Sequence, residues 1–250
     1  MEPRRPEIIV CKESLELYSR VAAAFITLAN DFQKNNGRFN VALCGGSTPL
    51  PLYGLLASLP LRENVKWSKV HFFWSDERCV PPDSEESNYG MAALNLLEKI
   101  GALEKNVHRI EGELGEGAAS VYERELKRAF GLGDGEFPAF DLMLLGMGVD
   151  GHTASLFPGS AALGEEENMV TSEYVEKLGS RRITFTPPII QKARNIIFLV
   201  RGGEKAAVLR ALLECPFDPN ALPAALTMKA EGRVRWFVDK EAASLLSGGA

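Results

Sequence analysis

Apolar and polar positions along the chain fall into two alternating rhythms. Residues 7–11 make a short β-rich run. From Ser14 to about Gln33 the apolar residues return at helical spacing, through Leu15, Leu17, Val21, Phe25, Leu28, Ala29 and Phe32. Asn35-Asn36-Gly37 closes that segment, as glycine does at a helix C-terminus. Four apolar runs follow, at residues 39–44, 70–74, 140–145 and 195–200, and none of them alternates with polar positions. Such runs predict strands buried on both faces, the mark of a parallel sheet covered by helices. Helical patterns at 49–59, 88–100, 118–130 and 204–213 lie between or after them, and residues 131–138 join a helix to a strand as a loop. A strand at 233–238 and a terminal helix from Asp239 complete the pattern. The predicted fold is α/β: a Rossmann-like, mostly parallel sheet sandwiched by helices, in a single domain over residues 1–250. No internal repeat or low-complexity segment interrupts it.

Composition narrows the function classes. The chain has 250 residues and a formal net charge of −5, which argues against nonspecific nucleic-acid binding, since that needs a basic face. An anionic ligand must then be held by a local cluster of Arg and Lys. The four cysteines, Cys11, Cys44, Cys79 and Cys215, are far apart and form no C-x-x-C pair, which fits reduced thiols in a cytoplasmic protein. The first residues carry Arg but no apolar core of a secretory signal. No stretch approaches the roughly 18 apolar residues of a membrane span. The expected partner is a small molecule, with no nucleic acid and no membrane.

The position of the polar loops carries most of the chemistry. Each buried run is followed at once by a glycine-rich or charged loop: Gly45-Gly46-Ser47-Thr48-Pro49, Ser75-Asp76-Glu77-Arg78, Gly146-Met147-Gly148-Val149-Asp150-Gly151-His152 and Arg201-Gly202-Gly203-Glu204-Lys205. In an open parallel sheet, ligands bind beyond the carboxyl ends of the strands. If the strands are parallel, all four loops face one crevice.

Gly45, Gly46, Ser47 and Thr48 read as an anion cradle, with backbone N–H groups free to approach a ligand and Ser47 or Thr48 capping the next helix near Pro49. A plain strand–turn–helix connection is the alternative. The loop matches neither dinucleotide nor Walker pattern, so no nucleotide is implied. In the second loop Arg78 offers a fork of donors to an anion or a developing negative charge, and Asp76 suits sugar hydroxyls or proton transfer. Of three histidines, His71 lies inside a strand and reads as structural, and His108 has no acidic or glycine-rich context. His152 follows Asp150 by two residues in a glycine-rich turn, where a carboxylate can orient an imidazole as a general base. Otherwise the two residues merely shape the turn. Lys205 opens a helix after Gly202-Gly203, and Arg181-Arg182 precede a strand-like Ile183-Thr184-Phe185-Thr186 that can aim one arginine at the crevice. The spacings give no zinc motif and no G-x-S-x-G elbow, so no metal or cofactor is expected.

Taken in order and spacing, the blocks CGGSTPLPLY, FFWSDERCVPPDSEESNYGM, FDLMLLGMGVDGHTASLFPG, RRITFTPPII, NIIFLVRGGEKAAVL and LPAALT resemble the 6-phosphogluconolactonases, from about residue 39 to residue 228. The resemblance implies hydrolysis of 6-phospho-D-glucono-1,5-lactone to 6-phosphogluconate in the pentose phosphate pathway, without metal or cofactor. Cys44 departs from it, because relatives usually carry Ser before the two glycines. Glucosamine-6-phosphate deaminases share the Gly-Gly-Ser-Thr loop and the Asp-Gly-His turn. They resemble Met-Asp-Glu-Tyr where this chain has Ser75-Asp76-Glu77-Arg78, and they carry a catalytic Glu where it has Phe157, so both positions speak against the deaminase.

Loops and resemblance together imply a set of roles. Gly45 to Thr48 bind phosphate, with charge from Arg182 and Lys205. His152, oriented by Asp150, takes a proton from water, which attacks the lactone carbonyl. Arg78 and nearby backbone N–H groups meet the oxyanion, or Arg78 helps hold the phosphate, and Gly148 is among the residues expected to bind substrate. Asp76 contacts substrate hydroxyls. A non-catalytic sugar-phosphate sensor is the alternative from another class, but neither spare length nor a basic helix is seen for a DNA-binding segment. Glucose-6-phosphate dehydrogenase, which makes the lactone, is a possible functional neighbour.

Overall fold

The computed structural model describes residues 6–247, so the extreme ends of the 1–250 span lie outside the described residues. Nine strands form two sheets. They are β1 (Glu7–Cys11), β2 (Phe39–Leu43), β3 (Val70–Trp74), β4 (Asp76–Arg78), β5 (Leu142–Gly146), β6 (Val170–Val175), β7 (Ser180–Phe185), β8 (Asn195–Val200) and β9 (Arg233–Asp239). The large sheet has six strands in the order β1-β9-β8-β5-β2-β3, and every pair in it is parallel.

All five residues of β2 are buried, as expected for a strand covered on both faces. Helix Ser14–Asn36 supplies part of the cover through Leu17, Val21, Phe25 and Ala29, and ends at Gly37, whose φ of 77° is the left-handed conformation that glycine adopts without strain. Leu15 is 68% exposed, so the first apolar position of the predicted stripe falls off the buried face. Phe140, just before β5, packs against Phe73, Phe130 and Phe185 with ring centroids 5.2, 5.0 and 5.3 Å away. Truncating so enclosed a ring to alanine costs roughly 3–5 kcal/mol.

The structure departs from the sequence reading in four places. Ser75-Asp76-Glu77-Arg78 is not wholly a loop, because Asp76–Arg78 is strand β4. With β7 and the unpredicted β6 it makes an antiparallel sheet in the order β4-β7-β6. The helix at 88–100 runs as Asn88–Ala92, a π-helical turn Ala93–Leu97, then Glu98–Ile100. Lys205 ends a 3-10 turn, Gly203–Lys205, ahead of the helix Ala206–Glu214. No helix starts at Asp239: its carboxylate accepts hydrogen bonds from Ala242 N at 2.8 Å and Gly202 N at 3.1 Å, which holds the following residues in turns. Among the described residues no helix is long and apolar enough to cross a membrane.

Because the strands are parallel, β8, β5, β2 and β3 present their carboxyl ends along one edge, in that order. Three steps of about 4.8 Å separate the outer two, so the four loops line an edge roughly 14 Å long. Ser75 turns the chain from one sheet into the other: its N–H donates to Leu43 O at 3.1 Å and its carbonyl accepts from Phe185 N at 2.8 Å.

Candidate active site

The turn after β5 is built around one imidazole. His152 Nδ1 and Asp150 Oδ1 lie 2.5 Å apart, and His152 N donates to the same oxygen at 3.2 Å. Gly148 N donates to His152 O at 2.9 Å. A Cβ on Gly148 would stand 2.0 Å from His152 Nδ1, so only glycine leaves room for the ring. The Gly148 N–H is therefore not available to a ligand. Its N–H is spent on His152, and its role is space.

Lys177, from the turn between β6 and β7, pairs with Asp150 Oδ2. Burial acts to raise the Asp150 carboxyl, but hydrogen bonds from Lys177 and His152 outweigh it and hold the group well below the usual carboxylate range. A carboxylate on Nδ1 fixes the imidazole tautomer, and Nε2, which meets no partner among the described residues, is left as the basic atom. Phe157 packs on the His152 ring with centroids 4.4 Å apart.

The same turn is tied to the small sheet. Ser155 Oγ donates to Asp76 Oδ2 at 2.7 Å, and Ser155 N donates to Thr184 Oγ1 at 3.2 Å. Ser75 Oγ donates to the other Asp76 oxygen at 3.3 Å. Asp76 is buried. Its carboxylate braces β4 against the His152 turn.

Glu77, given no role by the sequence, is buried on the other face of β4. It accepts from Arg78 N at 2.8 Å, Asn88 N at 2.7 Å, Tyr89 N at 2.8 Å and Ser87 Oγ at 3.1 Å. Those bonds weld the strand to the start of the next helix. Burial nonetheless leaves its carboxyl above the usual value.

Arg78 and Arg182 stand directly opposite each other in the β4–β7 register. Directly opposed residues share one face of a sheet. Arg78 donates to Glu86 O, and its Nε is buried without a partner. Arg182 donates to Ser180 Oγ at 2.9 Å. Neither is paired with a carboxylate among the described residues. Burial and the neighbouring Arg78 charge push the Arg182 guanidinium below its ordinary value. Two adjacent cations that no carboxylate bonds directly are a place for an anion.

Between these two groups lies the loop after β2. Gly45 abuts Asn88, whose Oδ1 would be 1.7 Å from a Cβ at that position, and Gly46 has a φ of 84°. Pro49, not Ser47 or Thr48, occupies the cap position of helix Leu50–Ala57, and no side chain caps it. Both hydroxyls are thereby left to a ligand, together with the N–H groups of residues 45–48, which find no backbone partner. Cys44 is inert: burial and the Asp76 charge push its thiol up to about 12. Lys205 stands beyond β8, at the far end of the same edge, and no hydrogen bond or ion pair joins it to the other site residues. No group of three His, Cys, Asp or Glu suited to a metal ion occurs among the described residues.

A mostly parallel sheet with this loop set is shared with known proteins. The family model described as glucosamine-6-phosphate isomerases/6-phosphogluconolactonase matches residues 12–236. The chain belongs to this family. Within it, the chain is 38% identical over 239 residues to a 6-phosphogluconolactonase of Synechocystis, covering 95% of this chain and 97% of that one. It is 37% identical to the 6-phosphogluconolactonase of Haemophilus influenzae, over 86% of this chain and 90% of the other. Its fold is similar to that of the 6-phosphogluconolactonase from Trypanosoma cruzi, with a TM-score of 0.88, 31% identity and 99% of each chain covered. The family spans two activities.

Proposed function

We propose that this chain is a 6-phosphogluconolactonase, which hydrolyses 6-phospho-D-glucono-1,5-lactone to 6-phosphogluconate in the oxidative branch of the pentose phosphate pathway. One observation carries the reading: a His–Asp pair with a free Nε2 and an arginine pair that no carboxylate bonds are braced together by Ser155 at one sheet edge. The first is a general base and the second an anion site.

In this mechanism Arg78 and Arg182 hold the phosphate from the small sheet, with the N–H groups and hydroxyls of the Gly45–Thr48 loop on another side and Lys205 across the crevice. Nε2 of His152 takes a proton from water as the water oxygen bonds to the lactone carbonyl. Asp150 stabilises the imidazolium that forms. The carbon–ring-oxygen bond then breaks, and the imidazolium returns its proton to the departing ring oxygen. The Arg78 guanidinium also favours the negative charge that develops on the carbonyl oxygen. A positioned base of this kind contributes about 10²–10⁴-fold.

The test is a rate. The phosphorylated lactone is generated in situ, and its loss is followed with and without purified protein, corrected for spontaneous hydrolysis. The unphosphorylated lactone is run in parallel. Acceleration confined to the phosphorylated substrate supports the reading, and acceleration of neither overturns it. The reading extends to a cytoplasmic setting beside glucose-6-phosphate dehydrogenase, which co-purification of the two activities from cell extract tests.

A further inference from the structure

The His152 imidazole sits in a closed circuit of four side chains. Asp150 Oδ1 meets His152 Nδ1 at 2.5 Å. Lys177 Nζ donates to the other oxygen, Asp150 Oδ2. The same ammonium lies 4.4 Å from the centroid of the Phe157 ring. Phe157 in turn packs on His152, with ring centroids 4.4 Å apart at 39°. Three of the four belong to the chain just after β5. Lys177 comes from the 3-10 turn Glu176–Leu178 between β6 and β7, 27 residues from Asp150.

We propose that Lys177 is a positioning residue for His152, holding Asp150 on the imidazole from the far side so that Nε2 keeps one direction towards the lactone carbonyl. This rests on the reading of His152 as the base. The terminal torsion of a carboxylate is soft, and one bonded oxygen leaves it free to swing. Opposed partners on the two oxygens remove that freedom. Lys177 is 50% and Asp150 29% exposed, so solvent screens their attraction. The contact therefore acts through geometry more than through stability. Phe157 completes the device because it is neutral. It takes one face of the imidazole and supports the ammonium, and it offers neither of them an acceptor in competition with Asp150. The same hairpin carries Arg182 at Ser180–Phe185, so one element serves both the base and the anion site.

The charged groups that meet Asp150 are Lys177 from the hairpin and His152 from its own turn. Without the ammonium, Asp150 is held through one oxygen only, by His152, and is free to turn away from the imidazole.

The experiment uses the full chain with Lys177→Met and Lys177→Arg, assayed on the phosphorylated lactone. Lys177→Met should lower kcat about tenfold, the scale of one charge-assisted hydrogen bond. Its KM should stay within about twofold, because the lost contact does not touch substrate. Lys177→Arg should restore most of kcat, since a guanidinium both pairs with carboxylate and stacks on an aromatic ring. Wild-type kcat in Lys177→Met would overturn the proposal. So would a loss carried by KM with no rescue by arginine, which marks a merely structural lysine. His152→Ala in the same assay separates the two levels. If it stays active, the base assignment falls and this proposal with it. If it is inactive while Lys177→Met matches wild type, only the positioning role falls.

Discussion

Two histidine–carboxylate pairs of nearly equal length occur in this molecule, one beyond the end of β5 and one near the start of β3. His152 Nδ1 lies 2.5 Å from Asp150 Oδ1, and His108 Nδ1 lies 2.6 Å from Glu125 Oε1. Their surroundings differ. His108 is 6% exposed, its Nε2 is bonded to His71 Nδ1 at 3.0 Å, and Phe73 stacks on it at 4.3 Å. Burial pushes its pKa down even though Glu125 works to raise it. Glu125 is also shared with Arg128 at 2.6 Å. His152 is 32% exposed, and its Nε2 has no partner. The first pair is spent inside the core and the second is left open to a substrate. A carboxylate beside an imidazole is thus no sign of catalysis by itself. The free ring nitrogen at the carboxyl edge of the sheet is what distinguishes the site.

The largest way to break this contrast is Asp150→Asn. An amide donates to Nδ1, so the ring holds its proton on Nε2 and loses its basic atom. kcat should fall by roughly two to four orders of magnitude with KM little changed, as initial rates on the phosphorylated lactone would show. Next is Arg182→Gln. Loss of one charged contact to phosphate should raise KM for the phosphorylated lactone about 10–100-fold and leave hydrolysis of the unphosphorylated lactone unchanged. The smallest effect belongs to the buried pair and appears in stability. Burial first, then the neighbouring His108, hold the His71 imidazole down to about 4, below its ordinary value of 6.5. The unfolded chain therefore takes up its proton first. The stability tied to neutral His71 is intact above about pH 6.5 and is lost as pH falls towards 4. Tm measured from pH 7.5 to 4.5 should drop less steeply in His71→Leu than in wild type, although that variant starts lower for want of its hydrogen bond.

The large sheet was legible because its strands are written as local apolar runs, and parallel order then brings the four loops to one edge. The Asp150-Gly151-His152 turn was legible for the same reason: all its parts lie within a few residues. What escaped depends on distant partners. Residues 76–78 are charged and few, and they become a strand only by pairing with β7 more than a hundred residues on. Had the run been read with a period of two, Glu77 would have been set on the face opposite Asp76 and Arg78. Glu125 reaches His108 from a helix 17 positions away, which is why His108 looked to have no acidic context. Lys177 has no local pattern at all, since its meaning comes from the hairpin that folds it onto Asp150. Pro49 at the cap of its helix overrode the expected hydroxyl caps.

The most direct test of the account is a side-by-side measurement of kcat for His152→Ala and His108→Ala on the phosphorylated lactone, each checked for folding by its melting transition. The account predicts that His152→Ala melts like wild type and loses roughly two to four orders of magnitude in kcat, while His108→Ala melts earlier and keeps the wild-type rate. A His152→Ala enzyme that keeps more than about half of its activity, or a folded His108→Ala enzyme that loses it, would contradict the assignment of the open pair as the catalytic one.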